Sequence, residues 1–333
     1  MNCDDAPPTT REYDALLRGA AFVDLPSERL VRFTGADRVT FLESQLTQKL
    51  ADLAPREVRP AALADRKGHA VADLVVARDD DALLVCVRSD RVDPVLSLLD
   101  RHRFSEDVAW SVAPFERALL LAGPLTEALL ASLRLTTRRE LQRPVGAPVL
   151  VAMPIAEISP HDWLLFMAPE SEVEVRAILS MAGGLEVGAR AFHLRRMEVG
   201  VGWFGHELDE ERLIPEGGWS DRVHYAKGCY LGQETLARLH YRGQLNWLLS
   251  RVGGSGQAPA VSTRLLDAGA ADVGWLASAE VRPEGGWSGL AYLRRAFRES
   301  PGPLVQAGAA EVRGAGVEWR GEVRPFTPTV FAK

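Results

Sequence analysis

The chain has 333 residues and a formal net charge of −6, with a sequence pI near 5.7. Hydrophobic residues make up 47% and charged residues 25%. That is the balance of a folded globular protein and excludes disordered, collagen-like and whole-chain coiled-coil readings. The length suits two or three domains with real cores, and the net acidity argues against bulk binding to nucleic acid or to an anionic membrane.

The longest charge-free run, Pro144 to Ala156, contains Pro148 and Pro154 and falls short of the ~20 apolar residues of a spanning helix. Asp4, Asp5 and Pro7-Pro8 stand where a signal peptide would carry a basic and then an apolar stretch. Residues 1 to about 10 read as a frayed tail. Cys3, Cys86 and Cys229 form no CxxC pair, so neither a disulfide scaffold nor a metal site is expected, and a reducing cytoplasm is the expected compartment. Lysine is scarce: Lys49, Lys67, Lys227 and Lys333 stand among arginines, and Lys67 and Lys227 each precede a glycine.

In chain order, Glu28 to Phe33 alternates polar and apolar as a half-buried strand does. Thr34-Gly35-Ala36-Asp37 predicts a capping-box-like helix start, with the helix running to about Leu46. Pro60 to Ala64 and Ala70 to Ala77 read as strands around the Asp65-Arg66-Lys67-Gly68-His69 turn, followed by a strand over Ala82 to Val87. A helix from Asp90 to about Arg103 and a strand near Val108 to Val112 come next. Asp81-Ala-Leu-Leu-Val before a helix and Asp162-Trp-Leu-Leu-Phe before another stand 81 residues apart, which suggests two α+β lobes of related plan. Helices are predicted over Ala189 to about Val199 and Leu231 to about His240. Gly253-Gly254-Ser255-Gly256 reads as a linker. From Gly243 short strands separated by turns (Val273 to Ala277, Gly289 to Leu293, Val317 to Trp319) predict a small all-β domain, a β-barrel. The expected division is therefore 1–242 and 243–333.

Three stretches could carry chemistry. In Lys227-Gly228-Cys229-Tyr230-Leu231-Gly232-Gln233-Glu234, an extended backbone would put Lys227 and Cys229 on one side, with a helix start nearby. An ammonium and a helix N-terminus both favour thiolate, so Cys229 is a candidate reactive thiol; the alternative is a buried, inert cysteine. In Arg196-Met197-Glu198, a carboxylate at a helix end could accept from an amidine-like edge such as a pterin presents; the alternative is a surface ion pair of Glu198 with Arg195 or Arg196. Asp73 lies in an apolar strand, either at an exposed face or in a pocket. No GxGxxG or GxxxxGK[ST] motif is present, and the seven histidines lack metal-ligand spacing.

The Lys227-to-Glu234 stretch resembles the signature of the YgfZ family, folate-binding proteins similar to the T-protein (aminomethyltransferase) of glycine cleavage. Thr34-Gly-Ala-Asp37 to Thr47, Asp65-Arg-Lys-Gly68 to Val76, Arg196-Met-Glu-Val-Gly200 with Gly205-His-Glu-Leu-Asp-Glu210, Val273 to Ser278 and Leu290 to Arg295 resemble further family segments in order. The resemblance implies an α+β cloverleaf, two lobes around a central folate cleft plus a C-terminal β-barrel. It implies that Glu198, with Arg196, Gln233 and Trp203, holds tetrahydrofolate or a formyl or methylene derivative. It implies that Asp73 stands near the reactive folate nitrogen, with Lys227 and Cys229 as the other catalytic candidates. Cys229 matches the YgfZ branch alone, and Gln233 stands where T-proteins often carry a basic residue. Trp203-Phe204 departs from the usual Pro-containing stretch, so Trp203 either stacks on the pterin or packs.

The implied function is assembly or repair of iron–sulfur clusters, with an indirect effect on tRNA modification. Its partners would be iron–sulfur assembly proteins and client iron–sulfur enzymes. The alternative is a folate-dependent aminomethyltransferase or other one-carbon transferase. A tRNA-binding patch around Arg238, Arg242 and Arg251 is disfavoured by the acidic pI, so direct nucleic-acid binding is not expected.

Overall fold

The computed structural model describes residues 7–25, 28–114, 117–267, 269–299 and 305–306. The chain starts with helix α1 (Thr10–Arg18) and strand β1 (Ala21–Asp24). Where the sequence suggested a frayed tail, Thr9 accepts from the Glu12 N–H and Glu12 accepts from the Thr9 N–H. This reciprocal cap satisfies two otherwise orphan donors and fixes the helix start.

The first lobe contains β2 (Glu28–Thr34), α2 (Arg38–Gln45), β3 (Val58–Ala64), β4 (Ala70–Arg78), β5 (Leu83–Arg88), α3 (Ser89–Arg101) and β6 (Ala109–Val112). Its antiparallel sheet runs β3-β4-β5-β2-β6. The expected cap at Thr34 does not form. Gly35 turns at φ +100°, and the Asp37 carboxylate accepts instead from the Asp107 N–H at 2.8 Å. A Cβ on Gly35 would lie 2.1 Å from the Asp107 carbonyl oxygen, so this turn requires glycine.

The second lobe contains β7 (Arg117–Ala122), α4 (Thr126–Ser132), β8 (Val149–Pro154), β9 (Trp163–Met167), α5 (Glu172–Met181), β10 (Leu185–Glu186) and α6 (Ala189–Val199), with β1 inserted in its sheet, β10-β1-β7-β9-β8. The strand–helix–hairpin–helix order of β2, α2, β4, β5, α3 recurs in β7, α4, β8, β9, α5. The 81-residue offset seen in the sequence thus marks equivalent β5–α3 and β9–α5 junctions.

Strand alternation explains the layering. Leu30, Leu84 and Cys86 of the first sheet share a core with Ala118, Leu120, Leu164 and Phe166 of the second. Their neighbours Val31, Leu83 and Val85 pack on α2 and α3. Leu119, Leu121 and Leu165 pack on α4 and α5. The two sheets therefore meet face to face with helices on the outer sides.

Helix α7 (Gln233–Arg242) leads to β11 (Trp247–Gly254), β12 (Arg264–Leu266), β13 (Asp272–Val281), β14 (Trp287–Arg294), α8 (Arg295–Glu299) and β15 (Val305–Gln306). These strands form an antiparallel sheet, β11-β14-β13-β12-β15. The strand expected at Val317 to Trp319 lies outside the described residues. Gly253 and Gly254, read from sequence as linker, are the last residues of β11. No helix among the described residues is long and apolar enough to cross a membrane.

Candidate functional site

All the expected site residues but Arg196 fall into three places. The first is a cavity of about 880 Å³ between the end of α6 and the C-terminal sheet. Glu198 sits one residue before the last residue of α6, and Gly200 ends that helix in the left-handed region at φ 88°. The Glu198 carboxylate accepts from the Tyr13 hydroxyl of α1 and, at 3.2 Å, from the Ser288 hydroxyl of β14. Burial and the Glu198 carboxylate push the Tyr13 phenol well above its ordinary value, so it remains a donor. Arg195 reaches the same carboxylate at 3.5 Å. Arg251 donates to the Glu198 main-chain oxygen at 2.9 Å.

The second place is a small cavity, about 40 Å³, against the core shared by the two sheets. Asp73 lies here with Glu28, Glu157, Cys86, Trp203 and Arg222. Asp73 Oδ1 is buried and has no hydrogen-bond partner among the described residues. Trp203 donates from its ring nitrogen to Glu157 at 2.7 Å, and Cys86 donates from Sγ to Glu28 at 3.1 Å. Burial opposes the charge on Arg222, but Asp73, Asp221 and Glu157 outweigh it and hold the guanidinium above its usual range. Burial raises Glu157 and pushes Glu28 up to about 7; the neighbouring Asp73 and Glu157 charges add to the Glu28 shift.

A raised carboxyl favours folding while it is protonated. Stability should therefore fall as pH rises from the unfolded value near 4.5 through about 7. Glu28→Gln is expected to match wild type at low pH and to gain on it across that interval. Urea denaturation as a function of pH checks this, and a difference that does not vary with pH would show that Glu28 ionises freely.

The third place is the Lys227–Glu234 segment. The backbone there turns and bends through residues 225–228, so it is not extended as the sequence suggested. Lys227 is buried and Cys229 is exposed. The Lys227 ammonium donates to the main-chain oxygens of Glu43, Leu46 (2.6 Å) and Gln48 (2.9 Å). Burial lowers its pKa to about 8, which leaves it charged at neutral pH. Gln233 accepts from the Tyr230 N–H at 3.2 Å and closes the start of α7. Gly232, at φ 80°, lets the Asp65–His69 turn approach, since a Cβ there would meet the Asp65 carbonyl oxygen at 2.4 Å. Cys229 and Gln233 line neither cavity.

Arg196 is the one expected site residue committed to a buried ion pair. It is 1% exposed and meets Glu207 through two parallel hydrogen bonds of 2.7 and 2.9 Å. Burial alone would raise Glu207, but Arg196 outweighs it and holds the carboxyl below its usual value. The surface pairing of Arg196 with Glu198, weighed from the sequence, is thus replaced by an interior pair that fixes the 200–208 loop.

The geometry can be set beside known proteins. The GCVT N-terminal domain family matches residues 5–143. An aminomethyltransferase of Rubrobacter xylanophilus is 29% identical over 240 residues, 70% of this chain and 64% of that protein, so the chain spans just under two thirds of that relative. The tRNA-modifying protein YgfZ of Vibrio vulnificus is 25% identical over 262 residues, covering 75% of each chain. The glycine cleavage aminomethyltransferase T structure from Bartonella henselae superposes with a TM-score of 0.80, at 16% identity, over 92% of this chain and 85% of that one. Residues 5–143 thus carry the GCVT N-terminal domain, and the chain is similar to both YgfZ proteins and T-protein-like aminomethyltransferases. Its fold is that of the aminomethyltransferases, with mixed helices and several sheets.

Sequence reasoning missed Glu28, Glu157 and Arg222, which come from separate segments and meet only in the fold. Arg251 carried a legible signal: it interrupts the apolar run Trp247 to Val252. Among the described residues, no group of three or more His, Cys, Asp or Glu could hold a metal ion.

Proposed function

We propose that the protein binds a reduced folate in the cavity at Glu198 and acts, through Cys229, in the assembly or repair of iron–sulfur clusters, with an indirect effect on tRNA modification. The observation that carries the folate part is the Glu198 carboxylate, fixed by Tyr13 and Ser288 at the wall of a large cavity. A prepositioned carboxylate is the acceptor that a ring edge with adjacent N–H donors requires. The donor set around it fits the ligand, because arginines line the same cavity and suit the carboxylates of a folate. A bound tetrahydrofolate would supply one-carbon or reducing chemistry; the chain itself supplies the acceptor, the orientation and the enclosure.

Cys229 lies outside both cavities and is exposed. This supports contact between the thiol and a partner surface, and not with a folate held at Glu198. Relatives named aminomethyltransferase favour a second reading, one-carbon transfer, which has no need of an outward thiol.

Two outcomes test the proposal. Glu198→Ala should weaken tetrahydrofolate binding in isothermal titration by about 1–3 kcal/mol, because the ring donors are left unpaired; unchanged affinity would remove Glu198 from the site. Cys229→Ser should fold and bind folate normally, yet fail to restore iron–sulfur enzyme activities in a deletion strain. Restoration of those activities by the Ser variant, or loss of glycine cleavage alone in the deletion strain, would favour the transferase.

A further inference from the structure

The surface around Cys229 is charged against the trend of the chain. Acidic side chains outnumber basic ones, 45 to 39, and arginines elsewhere, such as Arg32, Arg59, Arg103 and Arg176, meet carboxylates. Arg66, Lys67, Arg238 and Arg242 are all exposed, and none has an ion-pair partner among the described residues. The fold gathers them. Gly232 admits the β3–β4 turn that carries Arg66 and Lys67, and a Cβ on Gly68 of that turn would lie 3.2 Å from Leu236 of α7. Arg238 and Arg242 stand one turn apart on α7, so they share a side of it. Two neighbouring acids do not cancel this charge. Asp65 is engaged inside its own turn, accepting from the Lys67 and His69 N–H groups at 2.8 and 2.9 Å, and Glu234 is the one acid in α7.

The same face holds a thiol and an unmet donor. Gly228 and Cys229 are exposed, and a Cβ on Gly228 would have nothing within 4 Å. Tyr241 is 64% exposed. Tyr230, next to Cys229, is 7% exposed, and its hydroxyl is buried with no hydrogen-bond partner among the described residues. Burial and the nearby Tyr225 and Tyr241 phenols push that hydroxyl up to about 12, so it stays a donor for an incoming acceptor. Nucleic acid fits this face less well than protein. Tyr225 and His240 stack on each other at 3.8 Å, and Tyr241 meets His240 edge-on, so ring faces that bases would need are already used. A thiol also finds nothing to react with on an unmodified nucleic acid.

We propose that Arg66, Lys67, Arg238 and Arg242 form a docking face for a protein partner with a carboxylate-rich surface, which seats the partner's reactive group on Cys229. The charge of the partner follows from the face alone; the meeting at Cys229 rests on the thiol role proposed above. Complementary charge of this kind acts chiefly on the rate and orientation of encounter.

The test uses full-length protein in a Cys3→Ser background and two peptides, each with one cysteine held as a thiopyridyl disulfide, flanked by glutamates in one and by lysines in the other. The Cys229 thiolate attacks the peptide sulfur, a protein–peptide disulfide forms, and thiopyridone leaves with the electron pair and takes up a proton. Its absorbance gives the rate, and neutral dithiodipyridine normalises for the reactivity of the thiol itself. The acidic peptide should react about tenfold faster than the basic one at low salt, and this advantage should shrink at roughly 300 mM salt. It should vanish when all four cations are replaced by glutamine, a variant that keeps tetrahydrofolate binding. The wild-type salt series decides on its own should the fourfold variant fold poorly. Equal, salt-insensitive rates for the two peptides would overturn the face. So would tight binding of a fluorescent single-stranded RNA that the fourfold variant loses, which would assign the cations to nucleic acid. In a deletion strain the fourfold variant should fail to restore iron–sulfur enzyme activities. Restoration by it, with failure of Cys229→Ser, would end the docking face and keep the thiol role. The reverse pair of results would keep the face and end the thiol role.

Discussion

Arg196→Ala is expected to destabilise the folded protein by about 3–5 kcal/mol, the usual consequence of leaving one charge of a buried pair without its partner. The Arg196 and Glu207 side chains are 1% and 0% exposed. Glu207 also accepts from the Trp203 N–H at 2.9 Å, and Arg196 donates to the Val201 oxygen. The guanidinium further lies over the Trp203 ring, 5.2 Å from its centroid. Removing it leaves the carboxylate and the Val201 carbonyl buried without their donor, so the loss exceeds that of an exposed pair. Arg196→Lys should recover only part of the loss, since an ammonium cannot reproduce two parallel hydrogen bonds to Glu207. Chemical denaturation measures both variants. A ligand-binding role for Arg196, which the family resemblance implies, makes the opposite forecast: normal stability with weakened folate affinity.

The sequence exposed the regular parts of this fold because period is a local property. Strands β2 to β5 and helix α3 follow from alternation and apolar spacing, and the 81-residue echo anticipated two lobes of one plan. The cap at Thr34 failed because Asp107, seventy residues on, offers its N–H to the Asp37 carboxylate. No local pattern carries that competition. The linker reading of Gly253-Gly254 failed for a related reason. Glycines in sequence look like flexibility, whereas here they end a strand and permit the close approach of a second turn.

The candidate site was legible residue by residue and not as a constellation. Glu198 and Asp73 were both found, but the fold puts them on two different cavities. Trp203 accompanies Asp73, with its ring nitrogen hydrogen-bonded to Glu157. The acidic company of Asp73, namely Glu28 and Glu157, comes from β2 and from the loop between β8 and β9. Such meetings depend on how two sheets stack, which spacing along the chain does not encode.

Lys227→Met provides the sharpest separation between a chemical and a structural role for the signature segment. The three N–H donors of Lys227 meet the main-chain oxygens of Glu43, Leu46 and Gln48 at the C-terminal end of α2. Glu43 lies in the last turn of α2 and Leu46 caps it, where carbonyls carry the negative end of the helix dipole, and Gln48 follows in the loop, so one ammonium ties the helix end to the chain beyond it. Its Nζ also lies 4.8 Å from the centroid of the Tyr230 ring. Methionine keeps most of the stem's bulk but offers no donor. The variant should therefore lose about 2–4 kcal/mol, from three oxygens left without their charged partner. Iodoacetamide labelling of Cys229 in the folded variant, in a Cys3→Ser background, should proceed as in the Lys227 protein, because the ammonium is turned inward and the thiol outward. If Lys227 instead activates Cys229, labelling will slow markedly while the unfolding midpoint stays where it was. Each role moves one measurement and leaves the other in place, so a single purified variant decides between them.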